Sequence, residues 1–241
     1  YMQNVLQSLS EWWSGFCDDF KLNFIEKDRW KYLTEGLGRT LEITLFAVMI
    51  GIVLGFIVAI ICATHTKTGK LKIGNAICRV YLTVIRGTPM VVQLMIMYFL
   101  IFLPLGVDKM VTAVLAFGIN SGAYVAEIVR GGIMSVDEGQ MEAGRSLGFG
   151  YVATMWYIII PQAFKAVLPS LANEFIVLMK ETSVCAFIGL NDLTRGGDII
   201  RGVTYSDFMP LIAVALIYLV LVVVLSYLVK LLERRLRNSD R

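Results

Sequence analysis

Histidine is nearly absent from this 241-residue sequence, proline occurs only five times, and charged side chains make up just 17% of it. A single histidine, His65, excludes a His-Glu-x-x-His zinc site and leaves no Ser–His pair for nucleophilic catalysis. The phosphate-cradling P-loop pattern is missing too. Gly69-Lys70 has neither the upstream glycine nor the following hydroxyl, so the chain does not hydrolyse ATP by that route. The four cysteines, Cys17, Cys62, Cys78 and Cys185, are scattered and lack the close spacing of a metal site or a disulfide framework. They read as packing residues, and no metal site is expected. No basic start followed by a short apolar core and a small-residue cleavage site is visible, so no signal peptide is expected.

What is abundant is apolar surface: 57% of the residues are apolar or aromatic, and the mean hydropathy is +0.70. Such a composition excludes disorder, a coiled coil and an ordinary soluble domain. A spanning helix needs about 20 mainly apolar residues, so five would use about 100 and leave room for loops. The expected fold class is an all-α membrane protein with five transmembrane helices, preceded by an amphipathic N-terminal helix. The net charge of +3 does not point to nucleic acid, because the basic residues flank apolar runs rather than forming one aromatic-studded face.

Residues 1–35 are too polar to span, but Leu9, Trp12, Phe16 and Phe20 fall along one side of a helix. That pattern predicts an interfacial helix with an aromatic anchor. A first span runs from Gly36 to Ala63 and carries Gly51 and Gly55, a spacing that lets another helix approach closely. After a basic loop with Lys67, Lys70 and Lys72 comes a helical face of Ile73, Ile77, Val80 and Val84, then Arg86-Gly87-Thr88-Pro89 and a second apolar core from Met90 to Leu103. Pro89 disfavours helical geometry at Thr88, so a kink is expected there. The third span, Met110 to Arg130, places Asn120, Tyr124 and Glu127 on one face. The fourth, Phe164 to Leu190, is interrupted by Pro169, Asn173, Glu174, Lys180 and Glu181; the fifth, Phe208 to Val229, has no charge between its ends.

Cytoplasmic loops are enriched in Lys and Arg. The segment from Thr64 to Arg79 has four and no acid, and the tail from Lys230 to Arg241 has five against two acids, so both are assigned inside. Five spans then place the N-terminus and the segments Pro104 to Lys109 and Asn191 to Asp207 outside.

Ionisable groups at membrane depth remain: Glu127 and Arg130 on the third span, and Glu174, Lys180 and Glu181 on the fourth. Each would cost roughly 2.5 to 3.5 kcal/mol facing lipid at the bilayer centre, so each must face a partner, a cavity or another subunit. Internal ion pairs, Glu127 with Arg130 or Glu174 with Lys180, are one reading. A solute pathway is the other, favoured for Asn173 and Glu174 well inside their span. Mixed-sign groups suit an amino acid, whose carboxylate needs a cation and whose ammonium needs acceptors. An ion-coupled secondary transporter using Glu127 or Glu174 is the alternative, and a structural scaffold a third. The hydrophilic stretch from Ser135 to Leu147, bounded by glycines, reads as a short surface helix, either a docking knob or a loop lying on its own subunit.

The run Glu142-Ala143-Gly144-Arg145-Ser146-Leu147-Gly148, followed by Ile158, Ile160 and Pro161, resembles the cytoplasmic EAA motif of permease subunits of binding-protein-dependent ABC importers. Gly144 stands where the second alanine is usual, and Ile160 where leucine is usual. Together with Arg86-Gly87-Thr88-Pro89, Ala123 to Ile133, Gly139-Gln140, Pro161-Gln162-Ala163, Asn173-Glu174 and Lys180-Glu181-Thr182-Ser183, the chain is similar to polar amino acid permeases of the histidine and glutamine type. The resemblance covers about residues 36–232.

It implies a permease domain at 36–232 with a cytoplasmic coupling loop at 131–163, an N-terminal segment at 1–35 and a tail at 233–241, in a bacterial inner membrane. The partners implied are two ABC ATPase subunits, a second identical or similar permease subunit, an external binding protein and the amino acid itself. The chain is expected to be non-enzymatic and to hold no cofactor, ATP and Mg residing in the ATPase. Glu142, Ala143, Gly144 and Gly148 would form the coupling helix seated in the ATPase. Glu174 would accept the ammonium with Asn173 beside it, and Arg130 or Arg86 would meet the carboxylate. Asn120 and Glu127 complete the candidate lining.

Overall fold

The protein is described here by a computed structural model covering the backbone of residues 2–238 and the side chains of residues 11–66 and 68–236. The expectations for the side chains of Leu9, Lys67 and Arg237, and for Arg241, lie outside those residues. Among the described residues every regular element is helical. The order is α1 (Met2–Phe20), α2 (Trp30–Thr68), α3 (Lys72–Gly87), α4 (Met90–Met95, running on as a π-helical turn over Ile96–Phe102), α5 (Lys109–Met134), α6 (Glu138–Ser146), α7 (Tyr151–Thr154), α8 (Ile160–Glu181), α9 (Leu193–Thr204) and α10 (Phe208–Asn238). A π-helical turn, Met155–Ile159, joins α7 to α8, and a 3₁₀ turn, Thr182–Ile188, follows α8.

Three of these helices, α2, α5 and α10, are long and apolar enough to cross a membrane, and α3 with Met90–Phe102 passes as a pair bent by 107°. The expected fourth span, α8, is long enough at about 33 Å for its 22 residues. It falls short on apolarity alone. Its buried stripe, Ala163, Val167, Leu171, Glu174 and Leu178, belongs to a helix packed against α2, α5 and α10.

Several boundaries differ from expectation. The first span starts earlier, at Trp30, because Lys27 and Asp28 take positive φ and end the preceding segment. It also runs on to Thr68, so the expected basic loop from Thr64 to Arg79 shrinks to residues 69–71. His65 is therefore helical: its carbonyl accepts the Gly69 N–H at 2.9 Å, and its Nδ1 lies 2.8 Å from the Lys70 carbonyl. The fourth helix ends at Glu181 rather than Leu190, and α10 continues through the basic tail to Asn238. The segment Asn191 to Asp207, expected as an outer loop, is mostly α9.

Close approach of α2 and α5 forms the centre. A Cβ on Gly51 would stand 2.7 Å from Ser121 Oγ, one on Gly55 2.5 Å from Val125 Cγ1, and one on Gly118 2.8 Å from Ile50. Helix association in lipid has no hydrophobic drive of its own and rests on such small-residue packing. Ile43, Ala47, Ala113, Ala116, Phe117 and Leu178 fill the adjoining core. Cys78 and Cys185 are buried, and Cys17 and Cys62 half-buried, as packing residues.

The bend between α3 and α4 follows from Pro89. Thr88 is extended (φ −122°, ψ 146°), as a residue before proline is driven to be, and Pro89 opens α4.

On the far side, α9 is capped by buried Asp192, whose carboxylate accepts N–H bonds from Thr194 (3.1 Å) and Arg195 (3.0 Å). Its Leu193 and Ile200 share a core with Phe24, Leu33, Met209 and Val214, and Thr204 donates to Asn23 Oδ1 at 2.8 Å. The end of the N-terminal segment is thereby tied into the bundle, while Trp12 and Trp13 stay exposed, each with its ring 5.8 Å from that of Phe16.

Burial pushes the Asp192 carboxyl above its ordinary value of 3.8, against the lowering effect of the capping hydrogen bonds. A raised folded value means the native state holds the proton longer, so stability falls as pH rises from about 3.8 through the raised value. Asparagine caps as well as aspartate. Asp192→Asn, which keeps one of the two capping acceptors and cannot ionise, is therefore expected to lose the fall in stability that the parent shows as pH rises above about 3.8. Asp192→Ala, which loses the cap, should cost about 0.5–2 kcal/mol; thermal unfolding in detergent across pH measures both.

Candidate functional site

The polar residues of α5 fall into two groups on different faces. Asn120 and Glu127 are seven residues apart and share a face, whereas Ser121 is turned about 100° from Asn120.

Towards α3 and α4, Asn120 Nδ2 donates to Gln93 Oε1 at 3.1 Å. Gln93 Nε2 in turn donates to the Ile85 carbonyl (2.7 Å), the Thr88 carbonyl (3.0 Å) and Thr88 Oγ1 (2.8 Å). Gln93 thus satisfies carbonyls that the break at Pro89 leaves without helical partners. Tyr81, near the middle of α3, donates to the Ile119 carbonyl at 2.5 Å.

Two turns further along α5 from Asn120, Glu127 lies between two guanidiniums, 2.9 Å from Arg130 and 3.6 Å from Arg86. The Arg86 guanidinium also stands 5.7 Å from the centroid of the Tyr124 ring. Arg86, Tyr124 and Glu127 border a cavity of about 600 Å³, lined also by Arg79 and Thr83. With two arginines against one carboxylate in its wall, the cavity suits an anionic group.

Towards α8, Ser121 Oγ donates to Glu174 Oε1 at 3.0 Å. Glu174 is buried, and among the described residues no cation pairs with it. A second cavity, about 620 Å³, is lined by Ser170, Asn173, Glu174, Ser226 and Lys230. Glu233 lines it as well, so two carboxylates, an amide, two hydroxyls and an ammonium here offer acceptors and donors to a zwitterion.

The anticipated pairing of Glu127 with Arg130 is present. Glu174 meets Ser121, not Lys180. Arg86 and Arg130 gather around Glu127, while Glu174 and Asn173 line the other cavity, so one chain does not bring all six candidate lining residues into one pocket. Gln93, Ser121 and Lys230 were missed. Gln93 and Ser121 carry no charge to draw attention within apolar runs. Lys230 read as the start of the tail, because nothing in its spacing showed that α10 would bring it beside Asn173.

The candidate coupling residues form α6, capped by Asp137, whose Oδ1 accepts the Gly139 N–H at 2.7 Å. Glu142, Ala143 and Arg145 are exposed, and Gly144 alone in the helix is buried. A Cβ on Gly144 would stand 2.5 Å from Thr154 Cγ2 and 3.1 Å from Ile158 Cδ1, which accounts for glycine where alanine is usual. Gly148 has φ +86°, a conformation glycine adopts without strain, and turns the chain away from the helix.

Residues 37–238 match the model of the family described as binding-protein-dependent transport system inner membrane component. The chain belongs to that family. It is 40% identical to the arginine transport system permease protein ArtQ of Bacillus subtilis over 87% of this chain and 94% of the relative. Identity to the glutamine transport system permease protein GlnP of Escherichia coli K12 is 39%, over 85% and 93%. Among solved structures, an amino acid ABC transporter crystallised with histidines superposes with a TM-score of 0.79 at 44% identity, covering 85% of this chain and 94% of that one. The MetNI methionine ABC transporter, at 20% identity and a TM-score of 0.71, shares the fold.

Membership establishes a multi-pass membrane subunit of the type I importer fold, with the EAA motif and coupling helix typical of the family, and a non-enzymatic one, ATP being hydrolysed by separate subunits. Nothing in these matches supports the ion-coupled alternative.

If Gln93 clamps the bend, Gln93→Met should leave Asn120 and the freed carbonyls unsatisfied and lower stability by about 1–3 kcal/mol. Asn120→Ala alone should cost less, because it removes one bond of the set. Equal melting temperatures for parent and Gln93→Met would show that the clamp contributes nothing.

Proposed function

We propose that this chain is the permease subunit of an ATP-driven, binding-protein-dependent importer of polar amino acids, working by alternating access. The observation that carries the reading is Glu174: a carboxylate buried at membrane depth, bonded to a hydroxyl rather than neutralised by a cation, beside a cavity. Burying a charge is costly unless a counter-charge arrives. The ammonium of an amino acid is such a counter-charge. Asn173 flanks it, and the cavity lined by Arg79, Arg86 and Glu127, with Arg130 paired to Glu127 and Asn120 two turns away on the same face of α5, receives the carboxylate at another stage of passage. The relatives named for arginine and glutamine transport support a polar amino acid as the solute.

In this reading the N-terminus lies outside and α6 with the C-terminus inside. The exposed face of α6, with Glu142, Ala143 and the turn at Gly148, seats in an ABC ATPase subunit that holds ATP and Mg. A second permease subunit completes the passage, an external binding protein delivers the solute, and Trp12 and Trp13 anchor α1 at the outer membrane surface.

Uptake of labelled arginine and glutamine into vesicles containing the complete transporter tests both ends. Glu174→Gln keeps the Ser121 bond but loses the charge, and is expected to reduce uptake roughly tenfold to a hundredfold while the assembled complex still hydrolyses ATP. Unchanged uptake would remove Glu174 from the route. Glu142→Lys is expected to leave the subunit inserted but to separate ATP hydrolysis from uptake, and full coupling in that variant would overturn docking through α6.

A further inference from the structure

The cavity beside Glu174 shares its walls at Pro169 and Glu233 with a further cavity of about 600 Å³, on the side towards α6. This inner cavity is lined by Ser135 and Asp137 from the segment joining α5 to α6, by Gln162 and Lys165 on α8, and by Glu233 on α10. The two linings repeat one chemistry. Each holds one ammonium, two carboxylates and an amide: Lys230, Glu174, Glu233 and Asn173 in the first, Lys165, Asp137, Glu233 and Gln162 in the second. A solute that suits one therefore meets the same kinds of donor and acceptor in the other.

One face of α8 connects them. Gln162, Lys165, Pro169 and Asn173 recur at intervals of three and four residues, so they lie along one side of the helix, over about 17 Å from the first to the last. Gln162, Lys165 and Asn173 are exposed, with Ser170 beside them, whereas Ala163, Val167, Leu171 and Glu174 are buried on the adjoining side. The inner cavity is also tied to α6. Asp137 caps that helix by accepting the Gly139 N–H at 2.7 Å, and Gln162 Nε2 donates to Gln140 Oε1 at 3.4 Å. A ligand bound here draws on the same side chains that hold the start of α6.

We propose that the inner cavity is a second site for the transported amino acid, with Lys165 receiving its carboxylate and Glu233 and Asp137 its ammonium, and that occupation of this site restrains α6, so that solute accumulated on that side slows further transport. An anionic ligand such as a nucleotide is the less suitable occupant, because two carboxylates against one ammonium would repel it. The inference rests on the amino acid permease reading, in which the cavity beside Glu174 holds the solute and α6 receives the ATPase.

The test uses sealed vesicles that contain the complete transporter, with ATP and increasing arginine, or in parallel glutamine, on the α6 side. Initial uptake of the same labelled amino acid is expressed relative to identical vesicles without internal amino acid, so each variant is its own reference. In the parent this ratio should fall as the internal concentration rises. Lys165→Met, which removes one charge-assisted bond, should need about tenfold more internal amino acid for the same fall. Lys165→Arg should keep the parent response, and Ala166→Trp, which fills the inner cavity, should abolish it. A parent ratio that does not fall, or a Lys165→Met response equal to the parent's, would overturn the inner site. So would loss of the ATPase subunits from Ala166→Trp, which would make the cavity part of the docking surface. Glu174→Gln in unloaded vesicles tests the solute reading by itself, so the two failures are told apart.

Discussion

Everything polar in this subunit depends on how closely α2 and α5 can approach. Gly51, Gly55 and Gly118 remove the side chains that would otherwise hold the two backbones apart, and Ser121 and Val125 fill the space so freed. Inside a bilayer, where lipid competes for every apolar surface, the tight van der Waals contact is what selects this pairing over others. With α5 fixed at the centre, its remaining faces are presented to α3, α4 and α8, and each polar side chain on it has a defined neighbour.

The same constraint explains why two charged clusters coexist in one short helix bundle. Unsatisfied backbone groups and unpaired charges are both costly in hydrocarbon. Gln93 answers the first by occupying the carbonyls at the bend, and Glu127 answers the second by standing between Arg86 and Arg130. Glu174 is the exception, since a serine hydroxyl bonds it without neutralising it. An arrangement that leaves one buried carboxylate short of a counter-charge suits a protein that binds and releases a cationic group.

A continuous line of contact joins the surface helix to that carboxylate. Gly144 of α6 packs on Thr154 and Ile158, the π-helical turn carrying Ile158 leads directly into α8, and Glu174 lies on the buried stripe of α8. Glycine where alanine is usual lets α6 lie directly on this turn, where a Cβ would meet Thr154. Displacement of α6 by a docked partner would thus be delivered to the helix that bears the buried acid.

How much of this could be read without coordinates depends on whether the physics was local. Length, apolar content, the break at Pro89, the small-residue pair Gly51 and Gly55, the helix around Glu142 and the polar positions on α5 and α8 were all legible, because spacing along one helix and the chemistry of proline and glycine are properties of neighbouring residues. Helix ends were less so. Trp30 rather than Gly36 opens the first span, and the tail continues α10, since polar residues near a bilayer surface carry no period that marks where a helix stops. The helix over Leu193–Thr204 was passed over because its apolar face is satisfied by residues of other segments, among them Phe24, Leu33 and Met209. Which candidate residues meet was settled in three dimensions alone: Arg86 reaches Glu127 because the chain folds back at Pro89, and Lys230 comes to stand near Asn173 because α10 packs beside α8. Composition dictates that a charge within the membrane must have a neighbour, but the neighbour's identity follows from helix packing between segments distant in the chain.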